Sequence, residues 1–325
     1  MSQGPGGSSP EEDRRADSRE MAAAFCQVTF AYPGDTVPLI DKLDFTVWQG
    51  EFAALIGPSG CGKSTIFRLL NRLNEPLSGE VRTFVRKREE ETSVEESSGA
   101  SADRNRKNSF AASKAFARIS PRGGSSGRHG WKSGKAEEGR GRSVENVRCG
   151  YMPQQDMLFP WRTVLENVRL PMELRGGIGE KEMNERAREA LKDVGLEGWG
   201  DKLPRELSGG MRQRASFART LMTGADLLLL DEPFSALDYL TRLSMREWLL
   251  EQWEKDKKTV LFITHDVEEA IFLSTRILAV ERSPVKSFRE YRVPLPRPRT
   301  EASLGTPEAL ELKEELIRLF REAEK

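Results

Sequence analysis

One segment of the sequence is the most informative about its fold: Gly57-Pro58-Ser59-Gly60-Cys61-Gly62-Lys63-Ser64-Thr65. It has the pattern G-x-x-x-x-G-K-S/T, and it lies between a short apolar run, Phe52 to Ile56, and a segment with apolar residues at helical spacing. Glycines at positions 57, 60 and 62 let backbone N–H groups curl around phosphate oxygens without interference from a Cβ atom. An ordinary glycine-rich turn is the alternative, but the complete motif in its strand-to-helix context predicts a phosphate-binding loop.

Two side chains of this loop are predicted to act on a bound nucleotide. Lys63 would reach the β- and γ-phosphates, and the Ser64 hydroxyl would ligate Mg²⁺. The helix that follows adds the partial positive charge of its N-terminus. Cys61 stands at a variable position of the motif, so we predict neither a nucleophile nor a metal ligand there. The other residues expected to surround the phosphates are Gly57, Pro58, Ser59, Gly60, Cys61, Gly62 and Thr65.

A second apolar run, Leu227 to Leu230, ends in Asp231, Glu232 and Pro233. Such a run is typical of a buried parallel strand, and ligands bind at the carboxyl edge of open α/β sheets. Asp231 is suited to hold Mg²⁺ through water, and Glu232 could polarise an attacking water. An acidic turn is the alternative, but the phosphate loop in the same chain favours a functional site.

The chain has only two histidines. His129 lies in a stretch rich in Ser, Gly and Arg, and is predicted to be solvated. His265 follows the apolar run Val260 to Ile263 and Thr264, again at the end of a strand. A capping or core histidine is the alternative, but this position favours contact with the γ-phosphate and with water or Glu232.

Composition places limits on the class of protein. The 325 residues include 51 basic and 51 acidic side chains, and the mean hydropathy is −0.57. Balanced charge gives no global electrostatic case for a nucleic-acid partner. No run approaches the roughly 18 apolar residues of a membrane span. The N-terminus has no apolar stretch typical of a secretory signal, and the three scattered cysteines form no disulfide framework. These features predict a cytosolic chain.

Polarity is unevenly distributed along the chain. Residues 1–20 are predicted to be a disordered tail. The block 86–143 has 14 Lys or Arg against 8 Asp or Glu, few large apolar residues and a net charge of +6, which predicts a flexible insertion. A regulatory arm that meets anionic lipid or an acidic partner is the alternative.

The remaining segments alternate between strand and helix patterns, which predicts an α/β core with an antiparallel side sheet. Leu43, Phe45 and Val47 alternate as in a half-buried strand. One helix is predicted to carry Ile66, Leu69, Leu70 and Leu73. Residues 21–283 would form the main domain, and residues 284–325 a Pro-rich linker followed by an amphipathic helix with Leu312, Leu316, Leu319 and Phe320.

The segment Leu207-Ser208-Gly209-Gly210-Met211-Arg212-Gln213-Arg214 forms a second predicted anion site, since a serine and two glycines stand at the start of a helix. With the phosphate loop and the acidic strand, this signature motif closely resembles the ATP-binding subunits of ABC transporters. The resemblance implies a P-loop NTPase with a RecA-like parallel core sheet, an antiparallel β subdomain and a helical subdomain. It also implies a head-to-tail homodimer that closes two ATP molecules between the phosphate loop of one chain and the signature of the other.

The same resemblance extends to four shorter segments. Tyr32 is similar to the aromatic residue that stacks on adenine, although a core aromatic is the alternative. Gln154 fits the glutamine that touches Mg²⁺ and the attacking water, and Gln155 beside it remains an open alternative. Ile263-Thr264-His265-Asp266 resembles the switch-histidine segment. The loop expected to act across the dimer consists of Ser235, Ala236, Leu237 and Asp238.

Leu158-Phe159-Pro160-Trp161 and a late Leu-Pro-Arg-Pro-Arg resemble importers of the nitrate, sulfonate and taurine group. This implies an integral membrane permease as partner, contacted by residues 157–175, an extracytoplasmic solute-binding protein as an indirect partner, and a peripheral location on the cytoplasmic face of the membrane. An ABC ATPase of another transport system is an alternative. A DNA-repair or chromosome ATPase would need a long coiled coil, but residues 86–143 have no sustained heptads. A translation-linked protein would carry two ATPase units, and this chain has one of each motif.

Overall fold

A computed structural model describes residues 20–84 and 149–323 of the 325-residue chain. The predicted insertion 86–143 and the predicted tail, except for Glu20, lie outside the described residues. The strands in the described ranges are β1 (Met21–Phe30), β2 (Ile40–Trp48), β3 (Phe52–Ile56), β4 (Ser78–Thr83), β5 (Cys149–Met152), β6 (Leu227–Asp231), β7 (Thr259–Ile263), β8 (Arg276–Ala279) and β9 (Arg289–Arg292).

Helices connect and cover these strands. They are α1 (Lys63–Leu70), α2 (Val164–Arg175), α3 (Glu180–Asp193), α4 (Gly209–Leu221), α5 (Tyr239–Asp256), α6 (Val267–Leu273) and α7 (Pro307–Ala323), with short 3₁₀ turns at Pro204–Glu206 and Glu301–Gly305. None of the helices in the described ranges has both the length and the apolar composition needed to span a membrane.

The smaller sheet is antiparallel, with the strand order β2-β1-β4. Alternate residues of β2, namely Leu43, Phe45 and Val47, are buried, while their neighbours are exposed or half-buried. This pattern arises because only one face of the strand packs on the core. The predicted antiparallel side sheet is therefore confirmed.

The larger sheet has the order β5-β6-β7-β3-β8-β9. Its first five strands are parallel, and every residue of β3, β6 and β7 is buried. These three strands are continuous apolar runs because both faces of a parallel sheet are covered. The parallel core predicted from the runs at 52–56, 227–230 and 260–263 is confirmed, and the carboxyl ends of its strands share one edge.

The predicted boundary at residue 283 falls inside this fold. β9 pairs antiparallel with β8, and α7 packs with Leu312, Leu316 and Leu319 into the same core cluster as the larger sheet. The buried Arg299 guanidinium donates hydrogen bonds to the carbonyl oxygens of Ile271 (2.8 Å), Phe272 (3.0 Å) and Ser274 (2.7 Å) at the end of α6. The segment predicted as a linker is thus packed structure, because Val293 and Leu295 between its prolines bury their side chains.

α1 is shorter than predicted. It ends at Leu70, Arg72 has a left-handed φ of 56°, and Leu73 is 63% exposed instead of continuing the buried face. In contrast, α2, α3 and α4 pack on one another as the predicted helical subdomain. The exposure of Leu73 follows from the change of chain direction at residue 72, which the spacing of apolar residues does not report.

Candidate active site

The phosphate loop joins β3 to α1 at the carboxyl edge of the larger sheet. A Cβ added at Gly57 would lie 2.9 Å from the Val280 carbonyl oxygen, and Gly60 and Gly62 have φ values of 77° and 104°. Each of these positions therefore needs glycine, either for space or for backbone conformation. The loop surrounds Lys63, whose Nζ donates to the carbonyl oxygens of Gly57 (2.8 Å) and Pro58 (2.7 Å).

Cys61 is buried in this loop, 3.8 Å from Lys63 Nζ. Burial raises the pKa of its thiol above the ordinary value, and the nearby Lys63 charge only partly opposes this effect. A protonated, buried thiol is a poor nucleophile and a poor metal ligand. That Cys61 is neither a nucleophile nor a metal ligand stays a prediction.

Ser64 and Asp231 come together between α1 and the end of β6. Burial raises the pKa of Asp231, and the Ser64 side chain and the Lys63 charge only partly oppose this effect. A hydroxyl beside a carboxylate is a donor set that suits Mg²⁺, which uses one or two protein oxygens plus water and phosphate. The described residues contain no group of three or more His, Cys, Asp or Glu side chains that could form an all-protein metal cage.

An Asp231→Asn chain is expected to be more stable than the wild type at about pH 8, without nucleotide or Mg²⁺. The folded carboxyl has a pKa above that of the unfolded chain, so its ionised form opposes folding at high pH. This penalty disappears as the pH falls through the folded-state pKa towards the unfolded value of roughly 3.9. Asparagine has nearly the same shape as aspartate and carries no charge, so it avoids this penalty. Thermal unfolding across this pH range is the measurement, with exposed Asp201→Asn as the control; equal midpoints for Asp231→Asn and wild type at pH 8 would contradict this account.

Glu232 lies where three strand ends meet. Gln154 Nε2 donates to Glu232 Oε2 at 3.0 Å, and His265 Nδ1 is 3.6 Å from Glu232 Oε1. These residues follow β5, β6 and β7, which are neighbours in the sheet, and β3 with its phosphate loop is the next strand. The structure therefore brings together the side chains predicted at the edge, and it is Gln154 whose amide reaches the carboxylate.

The backbone of Glu232 is held in an unusual conformation. Its φ is +50°, in a region that a residue with a side chain rarely adopts. Its N–H donates to the Ile263 carbonyl oxygen at 3.0 Å, and its carbonyl oxygen accepts from Gln213 Nε2 at 2.9 Å. Strain of this kind persists only where surrounding contacts enforce it. Here both peptide groups of the residue are fixed.

Tyr32 lies beside the phosphate loop. Its hydroxyl is 3.0 Å from the Thr65 hydroxyl, and Arg68 donates to it at 3.3 Å. The ring is half-buried and packs edge-on against Phe30, with the ring centroids 5.0 Å apart. This leaves part of an aromatic surface exposed next to the loop, so adenine stacking stays a prediction.

The signature motif caps α4. Ser208 Oγ accepts from the Met211 N–H at 3.3 Å, which is the geometry of a helix N-cap. Ser208 and Gly209 are exposed, while a Cβ on Gly210 would lie 3.1 Å from the Ala236 carbonyl oxygen in the predicted dimer loop. Leu207 and Gln213 are buried within the chain, and Ser235, Ala236 and Asp238 are exposed.

Sequence reasoning missed several residues that position this site. Asn167 is fully buried, and its side chain bonds to the backbone of Phe159, Arg162 and Thr163, fixing the turn before α2. Glu269 is buried and accepts a 2.6 Å hydrogen bond from Thr264, next to His265. The only signal in the sequence is that polar residues interrupt otherwise apolar helix faces. That signal does not identify their partners.

A family model described as ABC transporter matches residues 40–235, more than half of the chain. The chain belongs to the ABC transporter family. This ABC ATPase is 38% identical over 270 residues to the formylaminopyrimidine import ATP-binding protein ThiZ of Halalkalibacterium halodurans, covering 83% of this chain and 84% of that protein. It is 34% identical to the aliphatic sulfonates import ATP-binding protein SsuB of Zymomonas mobilis, covering 81% and 84%.

Solved structures support the same assignment. The dimeric structure of a post-hydrolysis state of the ATP-binding cassette MJ0796, bound to ADP and Pi, matches this ABC ATPase with a TM-score of 0.60 and 27% identity. The match covers 83% of this chain and 98% of the cassette. The predicted P-loop fold, family and ATPase class are therefore confirmed.

Proposed function

We propose that this chain is the ATP-hydrolysing subunit of an importer, acting as a homodimer on the cytoplasmic face of a membrane permease. The single observation that carries the ATPase chemistry is the convergence of Gln154 and His265 on the Glu232 carboxylate beside the phosphate loop, at 3.0 Å and 3.6 Å. These groups come from the ends of three different strands, and their convergence on one carboxylate is typical of a catalytic site.

In this proposal the phosphate loop binds ATP. Its backbone N–H groups and the α1 N-terminus hold the phosphates, while Lys63 moves its ammonium from the loop carbonyls to the β- and γ-phosphates. Tyr32 offers its exposed ring surface to adenine. Ser64 and Asp231 would hold Mg²⁺, with Gln154 nearby, and this ion would neutralise charge on the β- and γ-phosphates.

Glu232 is the proposed general base. A water oxygen attacks the γ-phosphorus, the bond from that phosphorus to the bridging oxygen breaks, and ADP and phosphate leave. Glu232 accepts the proton lost by the water. Gln154 holds one oxygen of the carboxylate and His265 lies at the other, so the carboxylate keeps one orientation during the attack.

The second half of each site comes from the partner chain in this proposal. Ser208 and Gly209 are exposed at the α4 N-terminus, where a helix attracts anions, and the partner's Ser208 would contact the γ-phosphate. The exposed loop Ser235, Ala236 and Asp238 lies against Gly210 and would contact the other chain. Each ATP would thus be enclosed only when two chains meet.

An apolar surface beside the site is the proposed contact with the permease. Met157 is 58% exposed, Trp161 73% and Leu174 81%, and the Trp161 ring packs on Phe159 with centroids 5.2 Å apart. An Arg162–Glu173 ion pair of 2.7 Å joins the turn before α2 to the end of that helix. Large exposed apolar groups close to one another are typical of a protein interface.

We expect at least about tenfold less permease to co-purify with a Trp161→Ala chain than with the wild type. The reason is that a tryptophan buried in an interface is typically a hot spot of binding energy. Its own ATP hydrolysis should be unchanged. The measurement is co-purification of a multi-span membrane protein with the tagged full chain from solubilised native membranes. Trp199→Ala, which removes a less exposed tryptophan of the helical subdomain, is the matched control. Equal recovery with wild type and Trp161→Ala would contradict this docking surface.

The cargo is proposed only by class. The relatives named above import aliphatic sulfonates or formylaminopyrimidine, and the resemblance of Leu158 to Trp161 points to the nitrate, sulfonate and taurine group. We therefore propose a small organic or inorganic nutrient delivered by a separate solute-binding protein. Purifying the complex and identifying the solute bound by its extracytoplasmic component tests this assignment.

A further inference from the structure

The guanidinium of Arg212 connects the signature motif to residues 154–158, here called the Gln154 loop. Arg212 lies in the first turn of α4; its Nε donates to Asp156 Oδ2 at 3.0 Å, and its NH1 donates to the Leu207 carbonyl oxygen at 2.7 Å. Asp156 follows Gln154 by two residues, and Leu207 begins the signature motif. The pair therefore spans two segments that belong to different ATP sites of the proposed dimer.

The loop is attached to α4 at a second point. Arg219, two turns further along the helix, donates to the carbonyl oxygens of Asp156 (2.7 Å) and Met157 (2.6 Å). Asp156 Oδ1 also accepts from the Leu158 N–H at 3.1 Å, so its two carboxylate oxygens have separate partners. These bonds make the stretch from Asp156 to Leu158 move with the helix.

The same helix holds the other side of the catalytic contact. Gln213 donates to the Glu232 carbonyl oxygen at 2.9 Å and accepts from the Ala236 N–H at 2.9 Å. α4 thus carries the Gln154 loop through Arg212 and Arg219, and the Glu232 turn through Gln213. Loss of the Arg212 bridge would leave Glu232 and the Arg219 attachment in place, and would remove only the contact between the first turn of α4 and the Asp156 side chain.

We propose that Arg212 is a positioning residue that transmits engagement of the signature motif by one ATP to Gln154 at the other ATP of the dimer. Contact of phosphate with the α4 N-terminus shifts its first turn. The planar guanidinium then carries this shift to Asp156, and Gln154 settles on the Glu232 carboxylate. This inference rests on the proposed dimeric ATPase, and it adds a specific route between the two sites.

Two neutral variants remove the bridge from opposite ends. Asp156→Asn keeps an oxygen for the Leu158 N–H, but its amide group cannot accept from Arg212 Nε, and the Leu207 bond is untouched. Arg212→Gln loses both of its bonds. Steady-state ATP hydrolysis by the full-length chain is the assay. We expect either change to lower kcat roughly threefold to tenfold with KM within about twofold, and the double variant to be no worse than the worse single one.

Three further measurements separate positioning from a general structural role. Asp156→Asn should keep the wild-type thermal midpoint and the ATP-dependent dimer, because its signature motif is intact. Arg212→Lys, which keeps the charge but not the planar fork, should lie between wild type and Arg212→Gln in kcat. Lys202→Gln, which breaks an exposed 3.2 Å pair with Glu206 just before the signature, should leave kcat unchanged.

The inference is overturned if the effects of Asp156→Asn and Arg212→Gln on kcat are additive, if neither changes kcat, or if the loss follows a lower thermal midpoint. A wild-type chain without Mg²⁺-dependent ATP hydrolysis would instead contradict the proposed function. The two failures are therefore distinguishable.

Discussion

A Glu232→Gln chain is expected to bind ATP about as well as the wild type, while its turnover falls by roughly 10² to 10⁴, the usual contribution of a general base. Glutamine has nearly the same shape as glutamate. Its amide oxygen can still accept from Gln154 Nε2, which lies 3.0 Å from the Glu232 carboxylate in the wild-type chain. What it lacks is the ability to accept a proton from water. Because ATP then stays intact between the chains, the dimer should accumulate, and gel filtration with ATP and Mg²⁺ would detect it.

The matched control is Glu251→Gln, which removes an exposed carboxylate paired with Lys255 at 2.8 Å, far along α5 from the site. It should have wild-type turnover and no trapped dimer. Wild-type turnover in Glu232→Gln would remove Glu232 from the role of base. Reduced ATP binding together with reduced turnover would indicate instead that the strained backbone at position 232, with its φ of +50°, had relaxed.

The sequence predicts the content of this site well because parallel strands share an edge. The phosphate loop, Asp231 with Glu232, and His265 each follow a buried apolar run, so their meeting follows from the fold class alone. Only the family resemblance predicts Gln154 at this edge, since β5 has just four residues and a weak apolar pattern. The structure makes it the neighbour of Glu232.

Other features depend on contacts that no local pattern reports. Asp156 and Arg212 are 56 residues apart, and their 3.0 Å bond exists because of how α4 crosses the loop after β5. The prolines around Val293 give this segment the sequence pattern of a linker. In the structure, the side chains of Val293 and Leu295 are buried in the core. Tertiary packing, and not propensity, decides both cases.

Two inactive chains should restore each other's activity when they are combined. Lys63→Met removes the ammonium from the phosphate loop and is expected to weaken ATP binding roughly 10- to 100-fold, as loss of charged hydrogen bonds does. In the wild-type chain the Met211 N–H lies 3.3 Å from Ser208 Oγ, and Ser208→Asp keeps an N-cap residue that can accept from it. The aspartate also places a negative charge where the phosphate of ATP would bind, and the two charges repel each other. Each variant alone should be almost inactive. Ser208→Asn, a neutral N-cap residue, is the control for Ser208→Asp and should retain clearly more activity.

The recovery follows from how a head-to-tail dimer divides its sites. In a mixed dimer, one site combines the intact phosphate loop of the Ser208→Asp chain with the intact signature of the Lys63→Met chain, and the other site carries both defects. Each mixed dimer has one good site out of two, so up to about half of the wild-type turnover per dimer should return. Co-expressing the chains with different tags and assaying the doubly purified dimer measures this. If a single chain held a complete site, the mixed dimer would be as inactive as its parents, because every chain would carry one defect. Activity in the mixed dimer therefore depends on a phosphate that contacts α1 of one chain and α4 of the other.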